Sequence, residues 1–361
     1  MSIITRRNFM KVATASATLP FMSGRGAYAA TEELKVGYIY LGPIGDAGWT
    51  WAHDKGRKYM IDKLGGKASA DYVENVAEDA SAVPALRDLA QQGHKLIFAS
   101  SFGYMDQVLQ VAKEFPDVKF EHCTGYKRDA NVSTYNSRFH EGRAVLGTIA
   151  GMMTKSNVIG YLGSYKVPEV VLGINAFTLA AQAVNPKVTV KLVMIDSWFD
   201  PPKETAATET LVNLGCDVIT THTDSPAALQ VLEQKGLYGF GQGADMSRFA
   251  PHAHLTAIED IWGPYYTARA QAVLDGSWKS EDTWWGMKKG CVVISPYNAA
   301  LPKEVASAAD KIQAGWLDGS YNTFVGPISD QDGKEKVAKG VTMDDGALAT
   351  IDWFVKGVQS A

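Results

Sequence analysis

Two tryptophans in the chain stand where side chains could bind a flat, polar ring. Trp49 and Trp198 each follow a short apolar run of the kind that forms a strand. Indoles from two facing loops could hold a planar heteroaromatic ring between them, with buried area and about 0.5–1.5 kcal/mol per aromatic pair. Stacking does not tell such rings apart, so hydrogen bonds to the ring edge must do so. The candidate acceptors for that edge are the carboxylates of Asp46, Glu121 and Asp245.

Patterns typical of catalytic or metal sites are missing from the sequence. It contains no G-x-S-x-G, H-E-x-x-H or P-loop motif. The three cysteines are isolated, without C-x-x-C spacing, and His252 and His254 have no identifiable third ligand. We therefore expect no enzyme and no cofactor or metal. The glycines around Gly243 predict a tight loop that lets the backbone approach a ligand.

The composition excludes several classes of protein. The chain has 361 residues, 46% of them hydrophobic, which favours about two globular domains over disorder or coiled coil. A pI near 6.0 argues against nucleic acid as a partner, because phosphate recognition needs clustered Lys and Arg. Three cysteines are too few for a disulfide scaffold. We interpret them as buried thiols, although one disulfide of unassigned pairing remains open.

The N-terminus resembles an export signal. Residues 5–11 (TRRNFMK) match a twin-arginine pattern, a weakly apolar run follows, and residues 27–29 (AYA) form a small-x-small cleavage signature. The run is shorter than the roughly 20 apolar residues that span a bilayer. We predict a twin-arginine signal peptide over residues 1–29 and a periplasmic location. Removing its four positive charges would take the net charge from −4 to −8.

After residue 31 the chain alternates short apolar runs with amphipathic stretches. The periodicity predicts strands at 34–41, 68–76, 95–99, 118–123, 157–162, 188–195, 217–221, 237–241 and 255–258. Helices are expected between them, at 48–64, 81–92, 104–115, 168–184, 202–214, 225–235 and 262–275. Strands joined by helices of ten or more residues form parallel sheets through right-handed crossovers. The pattern therefore indicates an α/β protein with two Rossmann-like lobes.

Ligands in open α/β sheets bind beyond the carboxyl ends of the strands. The loops at those ends contain Trp49, Phe102, Trp198 and several further aromatic residues. Some of these aromatics will be core or hinge packing. Trp49 and Trp198 lie at equivalent strand ends of opposite lobes, so they are the pair expected to clamp a ring.

Eight segments make the chain resemble the basic membrane protein (BMP) family of periplasmic binding proteins, which includes purine nucleoside receptors. They are residues 45–49 (GDAGW), 101–106 (SFGYMD), 139–147 (FHEGRAVLG), 159–163 (IGYLG), 185–186 (NP), 197–201 (SWFDP), 215–219 (GCDVI) and 241–245 (GQGAD). Each motif is weak alone. Their order and spacing, over roughly residues 34–358, make the resemblance fairly specific.

The resemblance implies a type I periplasmic binding protein fold, with two lobes joined by a hinge. We expect residues 31–137 with about 258–315 in the first lobe, and about 138–257 with 316–361 in the second. It also implies a monomer that delivers a small molecule to an inner-membrane ABC permease. By the same resemblance, Trp49 and Trp198 sandwich a purine base, Asp46 contributes hydrogen bonds and Asp245 contacts ribose.

One departure from the family bears on the ligand. Nucleoside binders carry a ribose-binding lysine shortly after a strand that corresponds to residues 255–258, whereas this chain reads Glu259-Asp260-Ile261-Trp262. A free base needs no ribose contacts, so we predict a purine base, adenine first, whose amino group suits a carboxylate. The alternatives are a purine nucleoside binder, a sugar-binding protein and a sensory co-receptor of the same fold.

Overall fold

The computed structural model describes residues 33–361, so the predicted signal segment lies outside the described residues. The chain first forms β1 (Leu34–Ile39), α1 (Trp49–Leu64), β2 (Ala68–Val73), α2 (Ala82–Gln91), β3 (Leu96–Ala99), α3 (Met105–Glu114), β4 (Lys119–Cys123) and β5 (Val132–Ser137). It continues as α4 (Phe139–Met153), β6 (Val158–Gly163), α5 (Pro168–Val184), β7 (Thr189–Met194), α6 (Pro201–Asn213), β8 (Val218–Thr221), α7 (Ala227–Lys235), β9 (Tyr238–Gly243) and β10 (His254–Asp260). It ends as α8 (Gly263–Leu274), β11 (Asp282–Trp285), β12 (Val292–Ile294), α9 (Lys303–Asp318), β13 (Ile328–Ser329), β14 (Glu335–Val337), α10 (Asp345–Ala349) and β15 (Val358–Ser360).

Thirteen of the fifteen described strands form two large sheets, one in each lobe, and β13 and β14 form a separate two-stranded antiparallel sheet. The first has the order β11-β5-β4-β3-β1-β2 and is parallel throughout. The second has the order β12-β10-β9-β8-β6-β7-β15, and its one antiparallel pair among the described strands is β10 with β12. Helices connect successive strands, as the alternating pattern predicts. The α/β class and the two-lobed type I periplasmic binding protein fold are confirmed.

The lobe boundaries differ from those expected at residues 258 and 315. Strand β10 pairs with β9 from His254 to Glu259 and with β12 from Ile258 to Asp260, so the second lobe extends to Asp260. Strand β12 pairs with β10, and α9 packs against α4, which places both in the second lobe. Only α8, against α1, and β11, beside β5, return to the first lobe. Strand β12 has only three residues, so a periodic pattern in the sequence could not reveal it.

The chain crosses between the lobes three times. The crossings follow β5, β10 and β11, and together they form the hinge. Hydrogen bonds tie the crossings together: Ser137 Oγ donates to Asp260 Oδ1 over 2.8 Å, and the Met287 backbone N–H donates to Glu141 Oε2 over 2.7 Å. The hinge is therefore a joined unit of three segments.

The second lobe is built around α4, which is buried along most of its length. A Cβ added to Gly147 would overlap the backbone of Phe177 in α5, so glycine allows these helices to pack closely. The three cysteines are buried and free, and no disulfide joins them.

Two findings concern absences within residues 33–361. None of the helices in this range is long and apolar enough to cross a membrane. The same residues form no group of three or more His, Cys, Asp or Glu side chains that could hold a metal ion.

Candidate functional site

A cavity lies between the lobes, at the carboxyl ends of strands from both sheets. Its lining combines aromatic and polar side chains from the two lobes. The lining residues are Leu41, Trp49, Ser101, Thr124, Phe139, Glu169, Trp198, His222, Asp224 and Gln242. The arrangement can therefore enclose a small, largely apolar ligand with a few polar groups.

Trp49 enters the cavity at the start of α1, in the first lobe. Its indole Nε1 donates to the carbonyl oxygen of Ser100 over 2.6 Å, and the ring packs edge-on against Trp262 with centroids 5.5 Å apart. The Trp49 backbone N–H donates to Asp224 Oδ1 in the second lobe over 3.2 Å. The indole is therefore held from two sides, with its polar atom already bonded to the protein.

Trp198 enters from the second lobe, in the loop after β7. Its indole Nε1 donates to Glu78 Oε2 in the first lobe over 3.0 Å, and Tyr165 packs beside the ring with centroids 5.4 Å apart. Both cavity tryptophans thus have their N–H groups bonded to protein acceptors. What they offer a ligand is carbon surface, which suits stacking.

The titratable groups that line the cavity come from the second lobe, at the ends of its helices and strands. Glu169 lies in the first turn of α5, and Asp224 and His222 follow β8. Burial, together with Glu78, raises the pKa of Glu169 to about 8, and burial, together with Glu204, raises the pKa of Asp224 to about 8. Burial holds the pKa of His222 well below its ordinary value, so this imidazole is neutral at pH 7.

Gln242, at the end of β9, is oriented from behind by the buried Arg143. The guanidinium donates to the side-chain oxygen of Gln242, to Thr220 Oγ1 over 2.9 Å and to the Thr221 carbonyl oxygen over 2.9 Å. Because the amide oxygen already accepts from Arg143, the amide nitrogen of Gln242 is the group left to donate.

Backbone from the two lobes meets at one edge of the cavity, next to two glycines. Gly48 has φ +86° and Gly243 has φ +70°. A Cβ added to Gly243 would lie 3.0 Å from the Gly48 carbonyl carbon, and a Cβ added to Gly48 would lie 3.0 Å from the Asp224 Cβ. Gly243 thus lies against the backbone of the other lobe, and its approach to a ligand stays a prediction.

Asp46 lies at the mouth of the cleft and not in the cavity. It lines a more open depression, and its carboxylate is 3.4 Å from Arg248 Nη2 of the second lobe. The same nitrogen donates to the Asp46 carbonyl oxygen over 2.8 Å. Asp46 therefore joins the lobes on the outside of the site.

Phe102, Asp245 and Glu121 are also predicted site residues, and none of them lines the cavity. Phe102 packs near Tyr126, with centroids 6.4 Å apart. Asp245 accepts from the Ser247 backbone N–H over 2.8 Å, in a turn at the protein surface.

Glu121 is fully buried in β4, away from the cavity, and both its oxygens are bonded. Arg269 Nε lies 2.6 Å from Oε1, Trp278 Nε1 donates to Oε1 over 2.7 Å, and the Tyr265 hydroxyl donates to Oε2 over 2.6 Å. With every acceptor position engaged inside the first lobe, Glu121 has a structural role.

Sequence reasoning missed the cavity carboxyls Glu169 and Asp224, together with Gln242 and His222. The rule that ligands bind at the carboxyl ends of strands selects the loops that hold three of them, because 222–226 and 241–247 follow β8 and β9. Glu169 gave no such signal, since an acid in the first turn of a helix is ordinary.

Comparisons with known proteins agree with this architecture. The model of the Bmp family, described as ABC transporter substrate-binding protein PnrA-like, matches residues 33–324. A purine-binding protein of Brucella abortus is 52% identical over 338 residues, 94% of this chain and 96% of that protein. A putative ABC transporter glucose-binding protein of Haloferax volcanii is 33% identical over 302 residues, 83% of this chain and 76% of that protein. A solute-binding protein of an ABC transporter system from Aeropyrum pernix shares the fold with a TM-score of 0.69 at 14% identity, covering 87% of this chain and 95% of that one.

Proposed function

The chain belongs to the PnrA-like family of ABC transporter substrate-binding proteins, a family of solute-binding proteins and not of enzymes, and we propose that its ligand is the purine base adenine. The observation that carries this proposal is that Trp49 and Trp198 line the same cavity. Each indole comes from a different lobe, so a flat ring would be gripped only when the lobes close on it.

The lining of the cavity favours a free base over a nucleoside. A ribose would need polar partners for its hydroxyl groups, and within the described residues the cavity has no lysine or arginine lining it. The carboxyl groups of Glu169 and Asp224 can accept from an exocyclic amino group, such as that of adenine.

A sugar is the second candidate, because one relative carries the name of a putative glucose-binding protein. Sugar sites surround several hydroxyl groups with hydrogen-bonding side chains. Here Leu41, Trp49, Phe139 and Trp198 supply apolar surface, and the N–H groups of both indoles are engaged with the protein. This lining supports a heteroaromatic ring over glucose.

Two further parts of the proposal concern where the protein acts. We infer that the twin-arginine segment over residues 1–29 directs export to the periplasm. There the monomer would close on its ligand and deliver it to an inner-membrane ABC permease. Asp46, through Arg248, would hold the mouth of the closed cleft.

The test is a set of calorimetric titrations with adenine, adenosine and glucose, together with mass spectrometry of any ligand that copurifies. We expect adenine to bind with the highest affinity of the three. Trp198→Ala should weaken adenine binding at least about 100-fold, or about 2.8 kcal/mol, with thermal unfolding largely unchanged.

The matched control is Trp51→Ala. Trp51 is also a partly buried tryptophan near the start of α1, but it stacks with Lys55 and does not line the cavity. Its substitution should leave the affinity within about twofold. Tighter binding of adenosine or glucose, or unchanged adenine binding by Trp198→Ala, would contradict the proposal.

A further inference from the structure

The carboxyl groups of Glu169 and Asp224 share one buried cavity without a cation beside them. Glu169 reaches it from the first turn of α5 and Asp224 from the loop after β8. No lysine or arginine of the described chain lines this cavity. Each of the two carboxyl groups loses hydration in this enclosed, partly apolar space and has other carboxylates near it, so the neutral form of each is favoured.

Glu169 is the group with an unused atom. Its Oε2 is buried and has no hydrogen-bond partner among the described residues. An unpaired ionised oxygen in such a place costs several kcal/mol, whereas a neutral carboxyl group can offer an O–H donor and a C=O acceptor to a ligand. The Glu169 side chain is therefore arranged to bond to something inside the cavity.

The charged and titratable neighbours of Glu169 act in the same direction. Glu78, in the loop after β2, and Asp260, at the end of β10, both raise its pKa, after burial, which is the largest cause. The buried thiol of Cys123 lies close to it on the side of β4. The terminal nitrogens of the buried Arg143 donate to Thr220, Thr221 and Gln242, and Arg143 is not among the groups that shift the pKa of Glu169.

Asp224 differs, because one of its oxygens is already bonded. Its Oδ1 accepts the Trp49 backbone N–H across the cleft over 3.2 Å. Burial first, and then Glu204 in α6 and Asp260, raise its pKa. Asp224 is thus partly committed to joining the lobes, which leaves Glu169 as the freer group for recognition.

We propose that Glu169 is a specificity-determining residue that binds the edge of the purine as a neutral carboxylic acid. This inference rests on the proposed purine ligand. The neutral acid presents a donor and an acceptor side by side, and it complements an edge with an amino N–H beside an unprotonated ring nitrogen, as in adenine. A carboxylate has acceptors only and suits the two adjacent N–H donors of guanine. Adenine affinity therefore falls as the pH rises through about 8.

The experiment titrates adenine into the wild type and Glu169→Gln at pH 6 and pH 9, with guanine as a competitor. Glutamine keeps a donor and an acceptor at every pH. The two proteins should bind adenine within about threefold of each other at pH 6. At pH 9, one unit above the pKa, about one Glu169 carboxyl in eleven keeps its proton, so Glu169→Gln should bind about tenfold more tightly than the wild type.

Asp224 is present in both proteins and changes its protonation alike in both, so the ratio of their adenine affinities reports the effect of Glu169 alone. Asp88→Asn, at an exposed position on α2, is the control and should follow the wild type at both pH values. Guanine should compete better against adenine in the wild type at pH 9 than at pH 6, and this gain should be absent in Glu169→Gln.

The outcomes separate the two proposals. If adenine binds the wild type at neither pH, the purine function itself is contradicted. If adenine binds but the ratio of the two proteins is the same at pH 6 and pH 9, only the role of Glu169 is overturned. Thermal unfolding of Glu169→Gln at pH 6 verifies that the variant is folded, and Glu169→Ala, which removes both donor and acceptor, should lose affinity already at pH 6.

Discussion

Trp198 of the second lobe donates its indole N–H to Glu78 of the first lobe over 3.0 Å. The other oxygen of Glu78 accepts from Ser101 Oγ over 2.5 Å and from the Gly103 backbone N–H over 2.7 Å. The carboxylate is thus anchored in its own lobe and holds the aromatic ring of the opposite one. Placement of this ring and closure of the lobes are consequently coupled.

We expect Glu78→Ala to weaken adenine binding by about tenfold or more. A hydrogen bond to a charged group contributes about 1.5–3 kcal/mol, and this one exists only while the lobes touch. Calorimetry measures the affinity, and small-angle scattering with saturating ligand measures closure. Glu209→Ala, an exposed glutamate on α6, is the control. Equal affinity and equal scattering for Glu78→Ala and the wild type would show that the contact does not matter for closure.

The glycine contact between the lobes gives a second prediction. In Gly48→Ala the new Cβ would press against Asp224 of the other lobe, so closure and adenine affinity should both decrease, by at least about tenfold. Gly93→Ala is a matched control, because Gly93 has φ +89° but nothing within 4 Å of an added Cβ. Both substitutions place an L side chain at positive φ, which strains the backbone. Titrations in which both variants lose affinity equally would assign the effect to backbone strain.

Glu121 should matter for stability and not for recognition. Removing the charge of a buried, paired carboxylate typically costs about 3–5 kcal/mol, so Glu121→Gln should lower the free energy of urea unfolding by about that amount. Glu281→Gln removes the exposed second partner of the same Arg269 and should cost less than about 1 kcal/mol. Adenine affinity of the folded Glu121→Gln protein should stay within about threefold of the wild type. A loss of affinity with normal stability would return Glu121 to the binding site.

The raised pKa of Glu169 predicts a pH dependence of stability. Its ordinary value of 4.5 rises to about 8 on folding, so between these values the folded state holds the proton more tightly than the unfolded state. The stabilisation is complete below pH 4.5 and is lost as the pH rises to about 8, with a slope of up to about 1.4 kcal/mol per pH unit.

Urea unfolding at pH 7 and pH 8 measures this slope. The range from pH 7 to pH 8 lies above the ordinary histidine pKa of 6.5. This choice matters because burial lowers the pKa values of His53, His140 and His222. Below pH 6.5 these histidines make stability rise with pH, which is opposite to the effect of Glu169. The wild type should lose more stability than Glu169→Gln between the two pH values. Parallel losses in the two proteins would contradict the assignment.

The fold could be predicted because it depends on local patterns that repeat. Each strand of the parallel sheets is a short apolar run between amphipathic helices, and the order of these elements is sufficient to indicate two lobes. The strand-end rule also led to the loops of Trp49 and Trp198, and the structure brings both residues to one cavity. Strand β5 escaped prediction since Ser133, Thr134 and Ser137 look like loop residues although they are buried.

The carboxylates could not be assigned in the same way, because their roles depend on partners far away in sequence. Glu121 resembled a candidate acceptor until Arg269, 148 residues later, was found to pair with it. Asp224 gained its role only from the approach of Trp49, 175 residues earlier. Sequence periodicity contains no information about such contacts. The packing within the first lobe determines the contact of Glu121, and the approach of the two lobes determines that of Asp224.

The three crossings of the hinge constrain how the two halves of the molecule can move. A single connecting segment would allow the lobes to twist, slide and bend relative to each other. Three segments side by side, bonded through Ser137 with Asp260 and Met287 with Glu141, oppose twisting and sliding and favour rotation about one axis. Each closure then follows the same path and brings the two indoles back to the same spacing. This reproducible spacing, more than any single contact, would let the protein select ligands by the thickness of their rings.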